Sequence, residues 1–337
     1  MEYKKLTKDR EEVYISLENE VGNTSLHKIN NIEVPNNNRI FAKEELLNPT
    51  ESLFDRVYPY LFKIAEEKGY IVPGITPVIE ASSGNAGASF AWAAQKLGYN
   101  NSTVIIHEDA PNARIEQIKS YGSKIILSPS GQYAKGFIGL LEEILEKDKE
   151  QEGGKIGENP KRMYCVTKIN PSSKKALEKM AEESIAQVPG KIDILVWAVC
   201  SGTTISGLGE KLKKKYNTYV VAIEHESTNV LNSFKEGKTW ESDTLPHELY
   251  GSAPFGVSKD KLDINFDVID EIVKVNDNDW QRGMELLEKE ENKLVGRSSG
   301  AAFSVSLKLA EKFNNKNILT VFFDPKWKYE DHYLYFK

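Results

Sequence analysis

The sequence predicts an α/β fold of parallel sheets flanked by helices. Short β-rich runs alternate with amphipathic helical stretches along the 337 residues, which is the pattern of strands joined by helical crossovers. Two runs, STVIIH and DILVWAV, are apolar almost throughout, as strands covered on both faces should be. The predicted strands are Arg39–Ala42, Pro77–Ala81, Ser102–His107, Lys124–Leu127, Asp193–Val199, Thr218–Glu224, Glu271–Val275 and Asn317–Phe323. The predicted helices are Ser52–Lys68, Ala86–Leu97, Ala113–Tyr121, Tyr133–Lys147, Ser172–Gln187, Ile205–Lys215, Asp277–Glu291 and Ala301–Phe313.

Composition narrows the classes of function. Hydrophobic residues make up 40% and charged residues 28% of the chain, which is ordinary for a soluble globular protein, and the length allows more than one lobe. The net charge of −6 argues against nucleic acid or an anionic membrane as a partner. Two distant cysteines, Cys165 and Cys200, indicate a reducing compartment. Because the sequence has neither a secretory signal nor a membrane-spanning apolar run, it predicts a cytoplasmic protein.

Two polar stretches interrupt the alternation of strands and helices. Residues 147–161, KDKEQEGGKIGENPK, are polar and contain glycines, which predicts an exposed connection at a lobe boundary. Residues 246–265 carry Pro and Gly throughout. A loop of that length is more often functional or mobile than structural.

The first candidate site follows the predicted strand 77–81. In the string EASSGNAG, the small residues Ser82, Ser83, Gly84, Asn85 and Ala86 lead directly into a helix. The backbone N–H groups and the dipole of a helix start attract anions, and hydroxyl and amide side chains add directed hydrogen bonds. The same string is as typical of a capped helix start without a ligand, so both interpretations stay open.

Two further junctions between a strand and a helix have a similar composition. After DILVWAV comes a loop rich in hydroxyl groups, Ser201, Gly202, Thr203 and Thr204, which is a setting in which backbone amides bind phosphate. The loop is neither a Walker loop nor a GxGxxG motif. Nearer the C-terminus, Ser298 in GRSSGAA precedes a helix, and this third motif is weak by itself.

Together these motifs resemble those of the cysteine synthase, cystathionine β-synthase and threonine synthase family, the tryptophan synthase β-like fold-type II enzymes that use pyridoxal phosphate (PLP). VGNTSL is similar to the family's Gly-Asn-Thr-Pro-Leu, and FAKEELLNPTESLFDR is similar to its Lys-x-Glu followed by Asn-Pro-x-Gly-Ser-x-Lys-Asp-Arg. SSGNAG resembles Thr-Ser-Gly-Asn-Thr-Gly, CSGTTISG resembles the glycine-rich phosphate loop, and GRSSGAA resembles the late Ser-Ser-Gly or Ser-Ala-Gly motif. The matches run in order along nearly the whole chain.

The resemblance implies a role for each motif. Asn85 would hydrogen-bond the ring oxygen of the cofactor, and Ser298 would face its pyridine nitrogen, which in this family favours β-elimination and β-replacement. Gly251, in YGSAPF, would belong to the loop that closes over the far side of the cofactor and would be one of the substrate-binding residues. The substrate carboxylate would be held by Ser82, Ser83, Gly84, Asn85 and Ala86. The phosphate would be surrounded by Ser201, Gly202, Thr203 and Thr204.

The implied architecture has two lobes with the active-site cleft between them. Residues 46–160 would form the smaller, mobile lobe, and residues 1–45 and 161–337 the larger one. Members of this family are commonly homodimers, so a homodimer is expected here as well.

The sequence departs from the family pattern where the cofactor is attached. The family's Schiff-base lysine falls on Phe54, which can neither carry PLP nor move a proton. Glu51 stands where the family has a glycine. In the phosphate loop Cys200 and Thr203 replace glycines and add Cβ atoms. Ala86 lacks the hydroxyl of the family's threonine in the carboxylate loop.

Three residues are candidates for the missing reactive group. Lys43 lies on a strand that leads toward this loop, but the family also has a lysine there, which favours a structural role. Cys200 lies at a helix N-terminus, where the pKa of a thiol falls, although a small packing residue is the simpler interpretation. Glu51 is a charged residue near the mouth of the expected pocket. No two histidines have the spacing of metal ligands, so no metal site is predicted.

Three functions are consistent with this pattern. The first is a cysteine-synthase-like protein that binds an amino acid. The amino acid would bind together with noncovalent PLP, as a preformed PLP aldimine, or without the cofactor. Any chemistry would then proceed without a lysine Schiff base. The second is an inactive metabolite sensor, or a partner subunit for an active homologue or another pathway protein. The third is PLP-independent chemistry in the same pocket. The retained Ser83, Gly84 and Asn85 of the carboxylate loop favour the first function, but the fold by itself does not identify the reaction.

Overall fold

The computed structural model describes residues 6–169, 172–238, 247–249 and 264–330. The predicted site residue Gly251 therefore lies outside the described residues. The described chain folds into two compact units, each built around one sheet. Unit 1 contains residues 6–22, 48–169, 172–176 and 328–330, and unit 2 contains residues 23–47, 177–238, 247–249 and 264–327. Compared with the predicted range 46–160, unit 1 lacks residues 46 and 47 and also contains residues 6–22, 161–169, 172–176 and 328–330.

Unit 1 is organised around a parallel sheet. Its elements are α1 (Lys8–Glu20), a 3₁₀ helix (Leu53–Arg56), α2 (Tyr58–Glu67), β3 (Val78–Ala81), α3 (Asn85–Lys96), β4 (Ser102–His107), α4 (Asn112–Ser120), β5 (Lys124–Ser128), α5 (Tyr133–Glu152), β6 (Tyr164–Cys165), a 3₁₀ helix (Val166–Ile169) and α6 (Ser172–Ala176). The strand order is β5–β4–β3–β6. Phe137, Leu141 and Leu145 of α5 pack in one apolar cluster with Ile79 and Ile105 of the central strands, because a spacing of three or four residues places side chains on one helix face.

Unit 2 contains the larger sheet. Its elements are β1 (Leu26–Lys28), a 3₁₀ helix (Pro35–Asn37), β2 (Arg39–Glu44), a 3₁₀ helix (Glu45–Leu47), α7 (Glu178–Gln187), β7 (Ile194–Ala198), α8 (Thr203–Tyr216), β8 (Tyr219–His225), α9 (Val230–Lys235), a 3₁₀ helix (Phe266–Val268), β9 (Glu271–Val275), α10 (Asp277–Glu291), α11 (Arg297–Lys312) and β10 (Asn317–Phe322). A further 3₁₀ helix, Lys326–Tyr329, ends in unit 1. The strand order is β1–β2–β10–β7–β8–β9, in which β1 is antiparallel to β2 and the other pairs are parallel.

The predicted α/β class and all eight predicted strands are confirmed. Every residue of β4 and of β7 is buried, in agreement with their continuous apolar composition. The prediction of a connection beginning at residue 147 is wrong in part, because α5 continues to Glu152. Surface pairs between Lys147 and Glu143 and between Lys149 and Glu146 support the helix there. No helix in the described part of the chain is long and apolar enough to cross a membrane.

Candidate ligand site

The Ser82–Ala86 loop joins β3 to α3 in unit 1. The Ser82 hydroxyl accepts hydrogen bonds from the backbone N–H groups of Gly84, at 3.0 Å, and Gly87, at 2.8 Å. Ser82 and Gly84 are buried, whereas Ser83, Asn85 and Ala86 are half-buried. Ser82 therefore satisfies one N–H group in the first turn of α3, although the N-cap residue is Gly84, which has no side-chain cap. The partly exposed residues of the loop remain accessible to a ligand.

The backbone of Gly84 admits no side chain. Its φ of +144° lies in a region that L-residues rarely adopt. A Cβ atom at this position would also lie 2.4 Å from Cδ of Arg114. The loop can therefore form its tight turn beside the guanidinium only with glycine at this position.

Two buried cations contact this loop. Nη1 of Arg114 donates a hydrogen bond of 3.0 Å to the carbonyl oxygen of Ser83. Nζ of Lys328 donates one of 3.0 Å to Oδ1 of Asn85. The side chains of both cations are buried, so their charges are screened less than surface charges. Together with the N-terminus of α3 they give the loop a positive electrostatic environment.

Sequence reasoning missed Arg114 and Lys328. Arg114 lies on α4, and Lys328 comes from the last described residues of the chain. The sequence separation between Lys328 and Asn85 is 243 residues. No local motif around either cation signalled a contact with the loop.

Phe54 lies in the 3₁₀ helix Leu53–Arg56 of unit 1 and is half-buried. Its backbone N–H donates a hydrogen bond of 3.3 Å to Oγ of Ser52, which caps this short helix. The phenyl ring offers neither a nucleophile nor a proton donor. This position therefore has no group that could form a covalent bond to a carbonyl ligand.

The chain just before Phe54 is fixed by a buried carboxyl group. Asp55 accepts hydrogen bonds from the backbone N–H of Thr50, at 2.7 Å, and from its hydroxyl, at 2.6 Å. The Thr50 hydroxyl also lies 3.0 Å from the hydroxyl of Ser89 on α3. Burial raises the pKa of Asp55 to about 6, although the hydroxyl groups and the charge of Lys328 act in the opposite direction.

Glu51 has a left-handed backbone conformation with φ of +56°. Non-glycine residues adopt this conformation at an energetic cost. The carbonyl oxygen of Glu51 accepts a hydrogen bond of 3.2 Å from Nζ of Lys328, which helps to hold the strained turn. A glycine would adopt this backbone without strain, which is a physical reason for the glycine expected here from the family pattern.

The hydroxyl-rich loop of unit 2 precedes α8. Gly202 has φ of +84°, and a Cβ atom there would lie 2.3 Å from Cβ of Ile264, so only glycine fits. Ser201 is exposed, and Thr203 and Thr204 are half-buried. Their hydroxyl groups and the N-terminus of α8 could bind a phosphate.

Cys200 precedes this loop and is exposed to solvent. Protein atoms nevertheless surround the thiol closely enough that desolvation raises its pKa to about 11, although the backbone N–H of Ser201 acts in the opposite direction. The thiol is therefore protonated at neutral pH. This is the reverse of the lowered pKa that a nucleophilic cysteine needs.

The remaining candidates also lie in unit 2. Ser298 is buried in the first turn of α11. Lys43 is buried on β2, where its Nζ lies 2.8 Å from Oε2 of Glu183 and 2.9 Å from Oε1 of Gln187 and also donates to the carbonyl of Thr24. These contacts engage the ammonium group of Lys43 within unit 2. Among the described residues, no three His, Cys, Asp or Glu side chains are arranged to hold a metal ion.

The chain is similar in sequence and fold to cysteine synthases and to a cystathionine β-synthase. The family model described as pyridoxal-phosphate dependent enzyme matches residues 17–324. The cysteine synthase of Staphylococcus aureus is 31% identical over 304 residues, which cover 89% of this chain and 90% of that protein. The structure of cysteine synthase from Entamoeba histolytica superimposes with a TM-score of 0.81 at 26% identity and covers 99% of this chain and 94% of that one. The O-acetylserine dependent cystathionine β-synthase of Helicobacter pylori gives a TM-score of 0.77 at 25% identity, over 93% of this chain and 96% of that one.

Proposed function

Since the chain belongs to the family of pyridoxal-phosphate dependent enzymes and has the fold-type II architecture, we propose that its Ser82–Ala86 loop binds the carboxylate of an amino acid. Any β-elimination or β-replacement chemistry would proceed without a lysine Schiff base at position 54. The observation that carries the proposal is the pair of buried cations, Arg114 and Lys328, on this loop.

The electrostatics of the loop favour a carboxylate over a neutral group. The positive end of the α3 dipole and the two cations Arg114 and Lys328 act together there. The half-buried Ser83 and Asn85 add groups that can hydrogen-bond the ligand. A bound carboxylate would thus be attracted by charge and oriented by hydrogen bonds.

The names of the relatives support a ligand derived from serine. Two curated relatives are named cysteine synthase and probable cysteine synthase, and one structural relative at 25% identity is named as O-acetylserine dependent. We therefore propose O-acetyl-L-serine as the representative ligand. Its carboxylate would bind the loop, and in an elimination the α-proton would be lost and the Cβ–O bond would break, with acetate as the leaving group.

The described residues fit noncovalent PLP better than covalently attached PLP. The hydroxyl groups of Ser201, Thr203 and Thr204 at the N-terminus of α8 suit its phosphate, and Ser298 could hydrogen-bond its ring nitrogen. When bound, PLP supplies an electron sink for the α-carbon of an amino acid. Phe54, in contrast, has no amine that could hold the cofactor's aldehyde carbon.

A second candidate function is ligand binding without catalysis. It is favoured by the raised pKa of Cys200 together with the phenyl ring at position 54, because neither position then supplies a nucleophile at neutral pH. Such a protein would act as a sensor of an amino acid, or as a partner subunit for an active homologue. The same observation weighs against PLP-independent chemistry through the Cys200 thiol.

Calorimetric titration with O-acetyl-L-serine tests the binding proposal. We expect binding by the wild-type protein and a Kd raised roughly tenfold in the Asn85→Ala variant, since one hydrogen bond to a charged ligand is lost. Asn101→Ala, at an exposed position of the same unit, is the matched control and should bind like the wild type. No heat of binding from any L-amino acid of the serine class would contradict the proposal.

Release of acetate separates the two candidate functions. The protein is incubated with O-acetyl-L-serine, with and without PLP, and free acetate is measured. Release above the background of PLP alone would support an enzyme, whereas binding without release would support the sensor or partner subunit.

A further inference from the structure

We infer that Lys328 and Tyr329 are positioning residues that hold the Ser82–Ala86 loop in its ligand-binding conformation, an inference that rests on the proposed function. Both residues are buried in unit 1. Lys328 acts on the Asn85 end of the loop, and Tyr329 acts through Arg114 on the Ser83 end. Neither residue belongs to a sequence motif that predicted the site.

The ammonium group of Lys328 lies among three oxygen atoms. Its Nζ donates to the carbonyl oxygens of Thr50, at 2.7 Å, and Glu51, at 3.2 Å, and to Oδ1 of Asn85, at 3.0 Å. A lysine ammonium donates hydrogen bonds and accepts none, which suits these oxygen acceptors. Lys328 therefore links the turn that precedes Phe54 to the first residue of α3.

The contact with Asn85 determines which way its amide faces. The two ends of an asparagine amide differ only in that one accepts and the other donates. With Oδ1 turned toward a cation, the NH₂ group points to the other side of the amide plane. If the Asn85 amide rotated by 180°, its NH₂ group would face the Lys328 ammonium, and two donors would then oppose each other. Its Oδ1 would face the carboxylate of the ligand, and two acceptors would then oppose each other. Both contacts therefore disfavour the rotated amide.

Tyr329 supports the other end of the loop. The guanidinium carbon of Arg114 lies 4.4 Å from the centre of the Tyr329 ring, a distance at which cation and ring attract each other. This stacking fixes the plane of the guanidinium, whose Nη1 donates to the carbonyl of Ser83. Lys328 thus contacts Asn85 directly, and Tyr329 contacts Ser83 through Arg114, so that these two consecutive residues act on both ends of the Ser82–Ala86 loop.

The test compares Lys328→Met with Lys326→Met. The two substitutions remove the same group two residues apart, but Lys326 is partly exposed and pairs with Glu288 in unit 2. Each full-length variant is titrated with O-acetyl-L-serine in a calorimeter, and its melting temperature and near-ultraviolet circular dichroism are recorded. We expect Kd to rise roughly tenfold or more in Lys328→Met and to stay within about twofold in Lys326→Met.

A second readout does not depend on the ligand. The side-chain amide resonance of Asn85, identified by its loss in Asn85→Ala, is recorded by NMR in the isotope-labelled protein without ligand. We expect it to shift in Lys328→Met and to stay in place in Lys326→Met. If the wild type binds no amino acid but the resonance shifts as expected, the proposed function fails while the positioning contact holds.

Three results would overturn the inference. One is a folded Lys328→Met variant with the Kd of the wild type. Another is an Asn85 amide resonance that does not respond to the loss of the Lys328 ammonium. The third is a PLP adduct on Lys328 after borohydride reduction of the wild-type protein, because Lys328 would then be a reacting amine rather than a positioning residue.

Discussion

The hydroxyl group of Tyr14 on α1 donates a hydrogen bond of 2.7 Å to Oε1 of Glu66 on α2. The same oxygen accepts a bond of 2.9 Å from the hydroxyl of Tyr99, and the guanidinium of Arg10 pairs with the carboxylate. The carboxylate attracts these protons, so together with burial it raises the pKa of both tyrosines. This network fastens α1 to α2 and to the segment around Tyr99 within unit 1.

Removing one hydroxyl from this network should weaken the fold. In Tyr14→Phe the carboxylate keeps Arg10 and Tyr99 but loses one donor in a buried environment. We expect the free energy of unfolding to fall by about 1.5 kcal/mol, measured by urea titration. Tyr216→Phe is the control, since the ring of Tyr216 contacts Lys215 at a half-buried position, and a change as large there would argue against a special role for Tyr14.

Glu80 should make stability depend on pH. It lies on β3 and accepts hydrogen bonds from the backbone N–H of Ala81 and the hydroxyl of Thr167, while burial raises its pKa from 4.5 to about 7. The folded state binds the proton of Glu80 more tightly than the unfolded state does. The contribution of Glu80 to the free energy of unfolding is therefore largest below about pH 4.5 and decreases as the pH rises to about 7. The shift corresponds to roughly 3 kcal/mol.

The measurement is urea unfolding at several pH values between about 4.5 and 7.5. Glu80→Gln should flatten the decline in stability, since an amide does not titrate. Glu143→Gln, at an exposed position on α5, should keep the slope of the wild type. Equal slopes in Glu80→Gln and the wild type would show that another group causes the pH dependence.

Glycine at position 51 should stabilise the protein. The left-handed backbone of Glu51 is strained, and glycine adopts it without a Cβ clash. Part of the gain is offset because glycine is more flexible in the unfolded chain. We expect Glu51→Gly to raise the free energy of unfolding by about 1 kcal/mol, and Asn217→Gly to raise it less, because asparagine tolerates the similar φ of +54° there. A loss of stability in Glu51→Gly would indicate that contacts of the glutamate side chain outweigh the strain.

An amine at position 54 should restore covalent attachment of PLP. Phe54→Lys replaces a half-buried ring with a side chain that can reach a carbonyl carbon. After incubation with PLP and desalting, we expect cofactor absorbance to remain in Phe54→Lys and to be absent from Phe54→Met, which also removes the ring but adds no amine. A Phe54→Lys variant that retains no more cofactor than Phe54→Met would contradict this prediction.

The sequence predicted the parts of the fold that depend on local pattern. Strands such as β4 and β7 were recognisable because they are apolar without interruption. The helices α1 and α9 and the short strands β1 and β6 were not predicted, and β1 and β6 have only three and two residues, too few for a periodic signal. The helix predicted over 52–68 is divided into a 3₁₀ turn and α2, because Pro59 has no backbone N–H to continue a helix from residue 52 and is tolerated only in the first turn of α2.

The residues of the candidate site also fall into those that the local sequence predicted and those that it did not. Ser82, Gly84 and Asn85 were placed at a strand–helix junction because the junction is local in sequence. Arg114, Lys328 and Tyr329 were missed because their contacts with the loop bring together distant segments, and such contacts leave no spacing to recognise. The cations that support the proposed binding are therefore visible only in three dimensions.

The contact between Lys328 and Asn85 also sets an order of events during synthesis of the chain. The loop leaves the ribosome long before the lysine that holds it, which follows 243 residues later. Domains form progressively as the chain emerges, but unit 1 draws its last segment from residues 328–330. A nascent chain can form the sheet of unit 1 before Lys328 is synthesised, yet the contact that holds Asn85 forms only afterwards. Premature termination before Lys328 would thus produce a chain with its sheets but without this contact.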